Sequence, residues 1–289
     1  MIAGGVMKKG LVLEGGAMRG IFTVGILDAM MENNIDFDGI IGVSAGAAFG
    51  CNFKSKQKGR ALRYNKKYCR DKRYCSYWSL FKTGDLFGAD FCYHELPAKL
   101  DPFDIKTFEE NPQEFYLVCT DIETGNPFYY RCQKADDECF EYMRSSASMP
   151  LVSNIVEVGG RKFLDGALTD SVPLAFFESI GYKRNIVILT QPAGYVKKQS
   201  SAMALLRIVY RKYPTLVKAM ENRHIMYNKQ IEYIEKQSSA GNILLLRPEE
   251  KLPISRICHD PDLLQKTYDT GFNYALRNMN KIKDFLKNG

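Results

Sequence analysis

Histidine is rare in this sequence, with only three among 289 residues, namely His94, His224 and His259. The scarcity matters because an enzyme that attacks with a serine or cysteine usually activates that nucleophile with a histidine base. None of the three lies at a strand end bounded by glycine, which is the setting of a catalytic turn. His224 lies in a basic amphipathic run, and His259 adjoins a helix start. We therefore expect surface or partly packed histidines and disfavour a histidine base.

Long apolar runs are also missing. No stretch approaches the roughly 20 apolar residues that cross a bilayer, and residues 1–9 contain no apolar core of signal-peptide length. The apolar content of 45% and the charged content of 25% are ordinary for a globular protein. We expect a cytoplasmic protein that is at most peripheral at the inner face of the membrane.

Cysteine pairs with metal-ligand spacing do not occur. The eight cysteines are scattered through the first 258 residues, and no Cys-x-x-Cys is present. Their positions are 51, 69, 75, 92, 119, 132, 139 and 258. In a chain with no secretory signal this pattern favours reduced thiols, and it gives a zinc site little support. We predict no metal site.

A nucleophile elbow is the most informative feature that the sequence does contain. Residues Gly42–Gly46 read Gly-x-Ser-x-Gly directly after the apolar pair Ile40-Ile41. In such an elbow a strand turns sharply into a helix and leaves one serine, here Ser44, at the tip of the turn. Gly42 and Gly46 flank the serine because side chains there would meet neighbouring backbone.

A glycine-rich turn precedes the elbow. The buried strand pattern of Leu11–Glu14 leads straight into Gly15–Gly20, and a helical pattern follows. Such a turn leaves backbone N–H groups unpaired at the positive end of a helix, which makes an anion site. A dinucleotide or phosphate loop is the alternative, but neither Gly-x-Gly-x-x-Gly nor a Walker-type Gly-Lys-Ser/Thr occurs. Beside a serine nucleophile we favour an oxyanion hole.

A third motif supplies a carboxylate. Asp165 follows the apolar pair Phe163-Leu164 and is itself followed by Gly166-Ala167. The glycine after the aspartate indicates another active-site turn, and a turn at Gly159–Lys162 precedes it. Asp165 is therefore a candidate active-site residue.

These three motifs, in this order, resemble those of the patatin-like phospholipase family. The matching residues are Gly15–Gly20 with Arg19, Gly42–Gly46 with Ser44, and Asp165–Ala167. The resemblance implies a Ser-Asp dyad that works without histidine. It also implies catalysis without calcium or any cofactor. It covers about residues 8–190 and includes two weaker blocks, Thr120–Gly125 and Arg144–Pro150.

The resemblance also assigns the glycine-rich turn. The backbone N–H groups of Gly15, Gly16 and Ala17 would hold the oxyanion, in a turn that closes at Gly20. Ala17 departs from the family, which usually has a third glycine there. Arg19 would orient the loop or meet a phosphate, or it would brace the turn through a salt bridge.

The fold class predicted from the order of strands and helices is α/β. The resemblance sharpens this to a three-layer α/β/α patatin-like fold with a mostly parallel sheet. We predict a single domain over 1–289, with a core at about 8–190 and a helical extension at about 195–289. The expected strands are Gly10–Leu13, Gly39–Val43, Phe115–Thr120, Phe128–Cys132, Ile155–Glu157, Lys162–Leu164, Ile186–Thr190 and Ile243–Leu246. The expected helices follow the two glycine turns and Val172-Pro173, and cover Ala202–Lys236, interrupted at Pro214, and Pro261–Leu286.

The positive charge is concentrated in two stretches. The net charge is +7, and Lys54–Arg73 contains ten Lys or Arg and one acid, Asp71. This segment is either a solvated helix face or a surface that docks on anionic lipid. A second basic stretch, Lys197–Lys236, allows the same two interpretations. No nucleic-acid-binding motif is present, so nucleic acid is not expected as a partner.

The sequence thus predicts a serine lipid acyl hydrolase that acts on fatty-acyl esters of glycerophospholipids or related lipids. Two alternatives use the same scaffold: an acyltransferase, and a lipid-binding module without catalysis. No prediction is made for the oligomeric state.

Overall fold

A single eight-stranded sheet organises the protein, whose structure is a computed structural model describing residues 7–287. The strands are β1 (Lys8–Leu13), β2 (Gly39–Val43), β3 (Glu114–Asp121), β4 (Pro127–Arg131), β5 (Val156–Val158), β6 (Arg161–Asp165), β7 (Tyr182–Ile188) and β8 (Ile243–Leu246). All eight predicted strands are present, and their ends differ from the predicted ones by four residues at most. Short apolar runs bounded by turns were therefore a sufficient signal.

The sheet is mostly parallel. Its order is β5-β6-β3-β2-β1-β7-β8, with β4 paired to β3 outside that path. The five strands β3, β2, β1, β7 and β8 run parallel to one another. Strands β4, β5 and β6 are joined to the sheet by antiparallel pairings. The predicted α/β class with a mostly parallel sheet is confirmed.

Helices cover both faces of the sheet. They are α1 (Gly20–Glu32), α2 (Ala45–Lys54), α3 (Arg60–Tyr68), α4 (Tyr77–Thr83), α5 (Ile105–Glu110), α6 (Asp137–Ala147), α7 (Leu174–Ser179), α8 (Met203–Val209), α9 (Pro214–Ser239), α10 (Pro261–Arg277) and α11 (Met279–Lys287). A π-helix covers Phe91–Leu100, and 3₁₀ turns cover Ala17–Arg19 and Gly166–Leu168. Leu11 and Leu13 pack into the layer that contains α1, α2 and α10, whereas Val12 packs into the layer of α7 and α9. Side chains alternate across β1 in this way, so the architecture has three layers, α/β/α.

The C-terminal helical part adds to the same sheet. Strand β8 pairs in parallel with β7, and α10 lies along α1. The predicted interruption at Pro214 is present, since α8 ends at Val209 and α9 begins at Pro214. The helix predicted at Pro261–Leu286 is divided at Asn278, whose N–H caps the last carbonyls of α10. Within residues 7–287, no helix combines the length and apolarity needed to cross a membrane.

The register around β3 decides where the candidate site forms. Both β2 and β4 pair with residues 116–118 of β3, so they lie on its opposite edges. Strands β4 and β6 both pair with Cys119 and Thr120 of β3. Because β4 occupies one edge of β3 there, β6 lies on the other edge, which is the edge that β2 occupies. Strand β2 ends at Val43, opposite Val118, and β6 ends at Asp165, opposite Cys119. The ends of β2 and β6 therefore meet.

A disulfide joins Cys132, after β4, to Cys139, in the first turn of α6. The prediction that all cysteines are reduced is wrong for this pair. The two residues are only seven positions apart, and the turn into α6 brings their Cα atoms to 5.7 Å, within disulfide range. The other six cysteines are free thiols, and five of them are buried.

The basic segment Lys54–Arg73 is not a freely exposed cationic surface. Lys54 is buried, and its amine donates to the carbonyls of residues 111 and 113. Five other cations form ion pairs with carboxylates. These five are Lys56, Lys58, Arg60, Arg63 and Arg73. The structure therefore favours the helix-face interpretation of this segment over the lipid-docking one.

Candidate active site

Ser44 lies at the tip of the turn between β2 and α2. Its φ of 55° and ψ of −123° are strained for a residue with a side chain, as expected for a nucleophile elbow. Gly46 shows why the flanking glycine is needed, because an added Cβ atom would lie 2.9 Å from the carbonyl oxygen of Glu14. The Ser44 N–H donates to the Ser146 hydroxyl at 2.9 Å, which fixes the turn from the side of α6.

The glycine-rich turn lies directly against Ser44. A Cβ atom built on Gly15 would come within 2.8 Å of the Ser44 Cβ, so only glycine permits this approach. Among the described residues, no oxygen accepts a hydrogen bond from the N–H groups of Gly15, Gly16 or Ala17. Three unpaired donors beside the serine are what an oxyanion hole requires. Gly20 then begins α1 and packs on Phe49 of α2.

Ala17 adopts a left-handed conformation, with a φ of 49°. Glycine adopts such angles freely, whereas alanine pays a steric penalty there. The departure from the family motif at this position therefore retains the backbone geometry of a glycine and adds strain.

Asp165 ends β6 beside the elbow. One of its oxygens accepts from the Ala167 N–H at 2.8 Å, and its own N–H donates to the Ser148 carbonyl. The carboxylate is 4% exposed, and this burial raises its pKa above the usual value of an aspartate. The nearby Arg223 guanidinium, the Ala167 N–H and the neighbouring Ser44 hydroxyl oppose that rise in pKa. Ser44 and Asp165 thus meet, as the register of β3 requires.

The three histidines lie elsewhere. His94 pairs with Glu141, and His259 contacts the Cys69 carbonyl. His224 has a buried Nδ1 atom with no hydrogen-bond partner among the described residues. None of the three lines a cavity that contains Ser44. Within residues 7–287, no cluster of three or more His, Cys, Asp or Glu side chains is arranged to hold a metal ion.

Two cavities meet at Ser44, and they differ in polarity. The first encloses about 1000 Å³, including space open to solvent, and passes under α3, the π-helix and α6. Its walls are largely aromatic and aliphatic side chains, among them Phe49, Tyr64, Phe87, Leu96, Phe103, Phe140 and Met143. We call it the apolar pocket. The second encloses about 1190 Å³ and is lined by charged groups. We call it the polar cleft. The two share Ala17, Ser44 and Met149.

Arg19 lines the polar cleft, and its contacts bear on one of the roles predicted for it, a salt bridge that braces the turn. Among the described residues Arg19 forms no ion pair, and its buried Nε atom has no hydrogen-bond partner. The salt-bridge role is therefore absent. Glu14, its acidic neighbour, instead accepts from the N–H and hydroxyl of Thr190 and from the Tyr227 hydroxyl.

Sequence reasoning did not single out three other cations at the cleft, Lys197, Arg223 and Arg256. Lys197 and Arg223 lie in the second basic stretch, so charge density was the only signal for them. Arg256 had none, because it lies in an irregular loop before α10.

The two weaker sequence blocks, Thr120–Gly125 and Arg144–Pro150, form hydrogen bonds that stabilise the backbone around the site. Asp121 accepts from the N–H groups of Glu123 and Thr124 and pairs with Arg161 at 2.6 Å, which braces the turn between β3 and β4. In the other block, Ser146 and Ser148 hold the backbone beside Ser44 and Asp165. Both blocks are therefore structural supports of the two catalytic candidates.

Comparisons with known proteins agree with this geometry. The family model "Patatin-like phospholipase" matches residues 11–177. The chain therefore belongs to the patatin-like phospholipase family, which makes it a lipid ester hydrolase. A second model, a domain of unknown function, matches residues 213–287.

Individual relatives are more distant. The chain is 27% identical to the uncharacterized protein YjjU of Escherichia coli over 84% of this chain and 69% of YjjU. It is 24% identical to the lysophospholipase nte1 of Aspergillus terreus, covering 95% of this chain but only 18% of that protein. Among solved structures, VipD from Legionella pneumophila aligns with a TM-score of 0.47 at 12% identity, over 96% of this chain and 67% of VipD.

Proposed function

We propose that the protein hydrolyses fatty-acyl esters of glycerophospholipids or related lipids with Ser44 as nucleophile and Asp165 as base. One observation carries the proposal. A strained serine, three unpaired backbone N–H groups and a buried carboxylate converge where β2 and β6 end. Among the described residues, no histidine lines either cavity at Ser44.

The proposed reaction proceeds in two steps. The Ser44 oxygen attacks the ester carbonyl, Asp165 accepts the hydroxyl proton, and the N–H groups of the glycine-rich turn hold the oxyanion. The C–O bond to the alcohol then breaks, the alcohol leaves with the proton, and an acyl-enzyme remains. Water attacks the acyl-enzyme, and Asp165 takes a proton from it. The C–O bond to Ser44 then breaks, Asp165 returns the proton to the Ser44 oxygen, and the fatty acid departs.

The apolar pocket supports a lipid acyl chain as the acid part of the ester. It begins at Ser44 and is lined mostly by aromatic and aliphatic side chains. Burial of a chain there is favourable by about 0.8 kcal/mol per methylene group. A short polar ester would leave most of that surface without a partner.

Labelling of the nucleophile tests the proposal. A fluorophosphonate probe should label the wild type and fail to label Ser44→Ala, and the same variant should lose ester hydrolysis. Because Ser146 donates no bond to the Ser44 side chain and contacts only its N–H, the alanine variant should fold normally. Equal labelling of both proteins, with an unchanged circular dichroism spectrum, would assign the chemistry to another residue.

We further propose that helices α4 and α8 dock the mouth of the site on an anionic bilayer. Both expose large apolar side chains, for example Phe81 at 86% and Ile208 at 62%. Both are tied to the segment after Met149: the Leu86 N–H donates to the Val152 carbonyl, and the Tyr210 hydroxyl accepts from Leu151. Residues just after each helix are thus hydrogen-bonded to the segment that follows Met149, one of the three residues that the two cavities share.

Charge next to α8 supports an anionic surface as the occupant. Arg211 and Lys212 directly follow α8 and are exposed. Each near-surface cation contributes about 1 kcal/mol to binding of an anionic leaflet.

Vesicle binding tests this docking surface against the one predicted from sequence. Phe81→Ser combined with Ile208→Ser should weaken binding to vesicles that contain phosphatidylserine, while hydrolysis of a short soluble ester persists. The matched control is Lys56→Glu combined with Lys58→Glu, since both lysines are already paired with carboxylates. A control variant that loses vesicle binding while the apolar variant keeps it would restore the Lys54–Arg73 segment as the docking surface.

A further inference from the structure

Four cations surround the polar cleft on the side of Ser44 away from the apolar pocket. They are Arg19, Lys197, Arg223 and Arg256. Arg19 lies in the glycine-rich turn, Arg223 belongs to α9, and the other two lie in the loops after β7 and before α10. Three of the four therefore lie beyond residue 177, where the match to the family model ends.

None of the four is neutralised inside the part of the chain that the structure describes. No carboxylate lies within ion-pair distance of any of them. Arg223 donates from Nε to the Ala167 carbonyl at 2.7 Å, and no other hydrogen bond of its guanidinium is recorded. The Nε of Arg19 is buried without a partner. The amine of Lys197 lies 4.1 Å from the centre of the Tyr227 ring and has no hydrogen-bonded acceptor.

The acidic groups facing the cleft offset these charges only in part. Glu14 and Asp165 are the two carboxylates in its wall. Glu14 is already hydrogen-bonded to Thr190 and Tyr227, and Asp165 to the Ala167 N–H. Four cations thus face two carboxylates, which leaves an excess of positive charge in the cleft.

Burial and the neighbouring positive charges both lower the pKa values of two of these cations. Burial together with the neighbouring Arg223 and Arg256 lowers the pKa of Lys197 to about 8, while Glu14 opposes the decrease. Burial, with Arg256 adding to the effect, also lowers the pKa of Arg223. An anion in the cleft would relieve the repulsion, because it would lie close to several positive charges at once.

We propose that the polar cleft binds the phosphate of the substrate headgroup, with preference for a terminal phosphomonoester over a zwitterionic phosphodiester. The inference rests on the proposed hydrolase function of Ser44. A glycerol phosphate ester places an acyl chain on one side of the reacting carbonyl and a phosphate on the other, which matches the two cavities. A phosphomonoester carries nearly two negative charges at neutral pH, whereas a choline group would add a cation among four others.

A matched substrate series tests the proposal. Three monoacyl esters with the same chain are compared below their critical micelle concentrations: acylglycerol phosphate, acylglycerophosphocholine and uncharged monoacylglycerol. We expect kcat/KM to be highest for the phosphate ester. In Arg256→Gln, the ratio of kcat/KM for the phosphate ester to that for the uncharged ester should fall about tenfold or more, since a hydrogen bond to a charged group is lost.

The neighbouring lysines provide a matched pair of variants. Lys197→Gln should lower the same ratio, while Lys198→Gln, which removes an equal charge from an exposed position outside the cleft, should leave it unchanged. A ratio that responds equally to both lysine variants would indicate a general field effect and overturn the pocket. A wild type that prefers the choline or the uncharged ester would also overturn it.

The source of the phosphate is separated by competition. Inorganic phosphate should inhibit the wild type when it hydrolyses the uncharged ester. The same concentration of phosphate should inhibit Arg256→Gln more weakly. Inhibition by inorganic phosphate without preference for the phosphate ester would show a free-anion site and overturn the headgroup assignment. Hydrolysis of the uncharged ester that depends on Ser44 would sustain the proposed function in either case, whereas no hydrolysis of any of the three esters would contradict that function itself.

Discussion

The identity of the base gives the sharpest test of the site, and Asp165→Asn is the change that probes it. The amide of asparagine can still accept the hydrogen bond from the Ala167 N–H, so the turn at the end of β6 should persist. It cannot accept a proton from Ser44. The variant therefore removes the proton transfer while it retains the shape of the site.

The expected loss follows from the size of general-base catalysis. A positioned base contributes about 10²- to 10⁴-fold to the rate. At about 1.36 kcal/mol per factor of ten, this corresponds to roughly 3–5 kcal/mol of the activation barrier. The loss should appear in kcat, with little change in KM, because the carboxylate acts on the reacting proton.

The pH dependence of wild-type kcat/KM gives a second test of Asp165 as the base. Burial raises the pKa of Asp165 above the ordinary aspartate value of 3.8. Only the carboxylate form is a base, so kcat/KM should rise with pH through this raised pKa and reach a plateau above it.

Stopped-flow or steady-state hydrolysis of a short soluble ester measures these quantities without membrane effects. The control is the triple variant in which His94, His224 and His259 are replaced with Gln. It should retain most activity, since none of the three lines a cavity at Ser44. An inactive triple variant beside an active Asp165→Asn, both folded by circular dichroism, would refute the dyad.

Three further changes test strain, burial and redox state. Asp28 is buried, and burial raises its pKa to about 6 from 3.8; wild-type stability should therefore fall as pH rises from about 4 to 6. Asp28→Asn, which still accepts from Tyr268, should be more stable than the wild type at pH 8 by up to about 3 kcal/mol, and equal midpoints in urea at pH 8 would contradict this. Ala17→Gly should raise the unfolding free energy by up to about 1 kcal/mol because it relieves a φ of 49°; a lower thermal midpoint would count against strain there. Cys139→Ser should lower the stability of the oxidised protein by about 2 kcal/mol through loss of the bond to Cys132, and the difference should disappear in dithiothreitol.

The strands were predictable because their signals are local. Most are short apolar runs, and a buried parallel strand has little other requirement. The helices between β2 and β3 were harder. The π-helix contains Pro97, and α4 exposes Tyr77 and Phe81, so neither has the apolar periodicity of a helix packed on a core. Asn278 likewise gave no warning of the break between α10 and α11, because apolar spacing continues across it.

The residues of the candidate site also differ in how far local sequence could predict them. Ser44 and the glycine-rich turn are set by sequence neighbours, since the strain and the close backbone approaches occur within a few residues. Asp165 needed the family resemblance, because its pairing with Ser44 depends on a strand register that no local pattern encodes. Arg223 and Arg256 come to the cleft only through the packing of α9 and of the loop before α10, so their role became apparent from tertiary structure alone.

The contrast between the two cavities has a consequence for substrate orientation. They meet at Ala17, Ser44 and Met149, so a bound ester must extend into both from one carbonyl. An acyl chain in the polar cleft would remove water from Lys197 and Arg223 without supplying an anion, and a phosphate in the apolar pocket would be buried among aromatic rings. The first reversal leaves cations without water or a counter-ion, which is far more costly than the gain from any single methylene group. In the second, the phosphate would meet only Arg60 and Arg144, which are already paired with Asp101 and Glu141. If Ser44 is the nucleophile and the cleft binds the headgroup phosphate, as proposed above, the two ends of the substrate orient its carbonyl toward the N–H groups of the glycine-rich turn before the reaction begins.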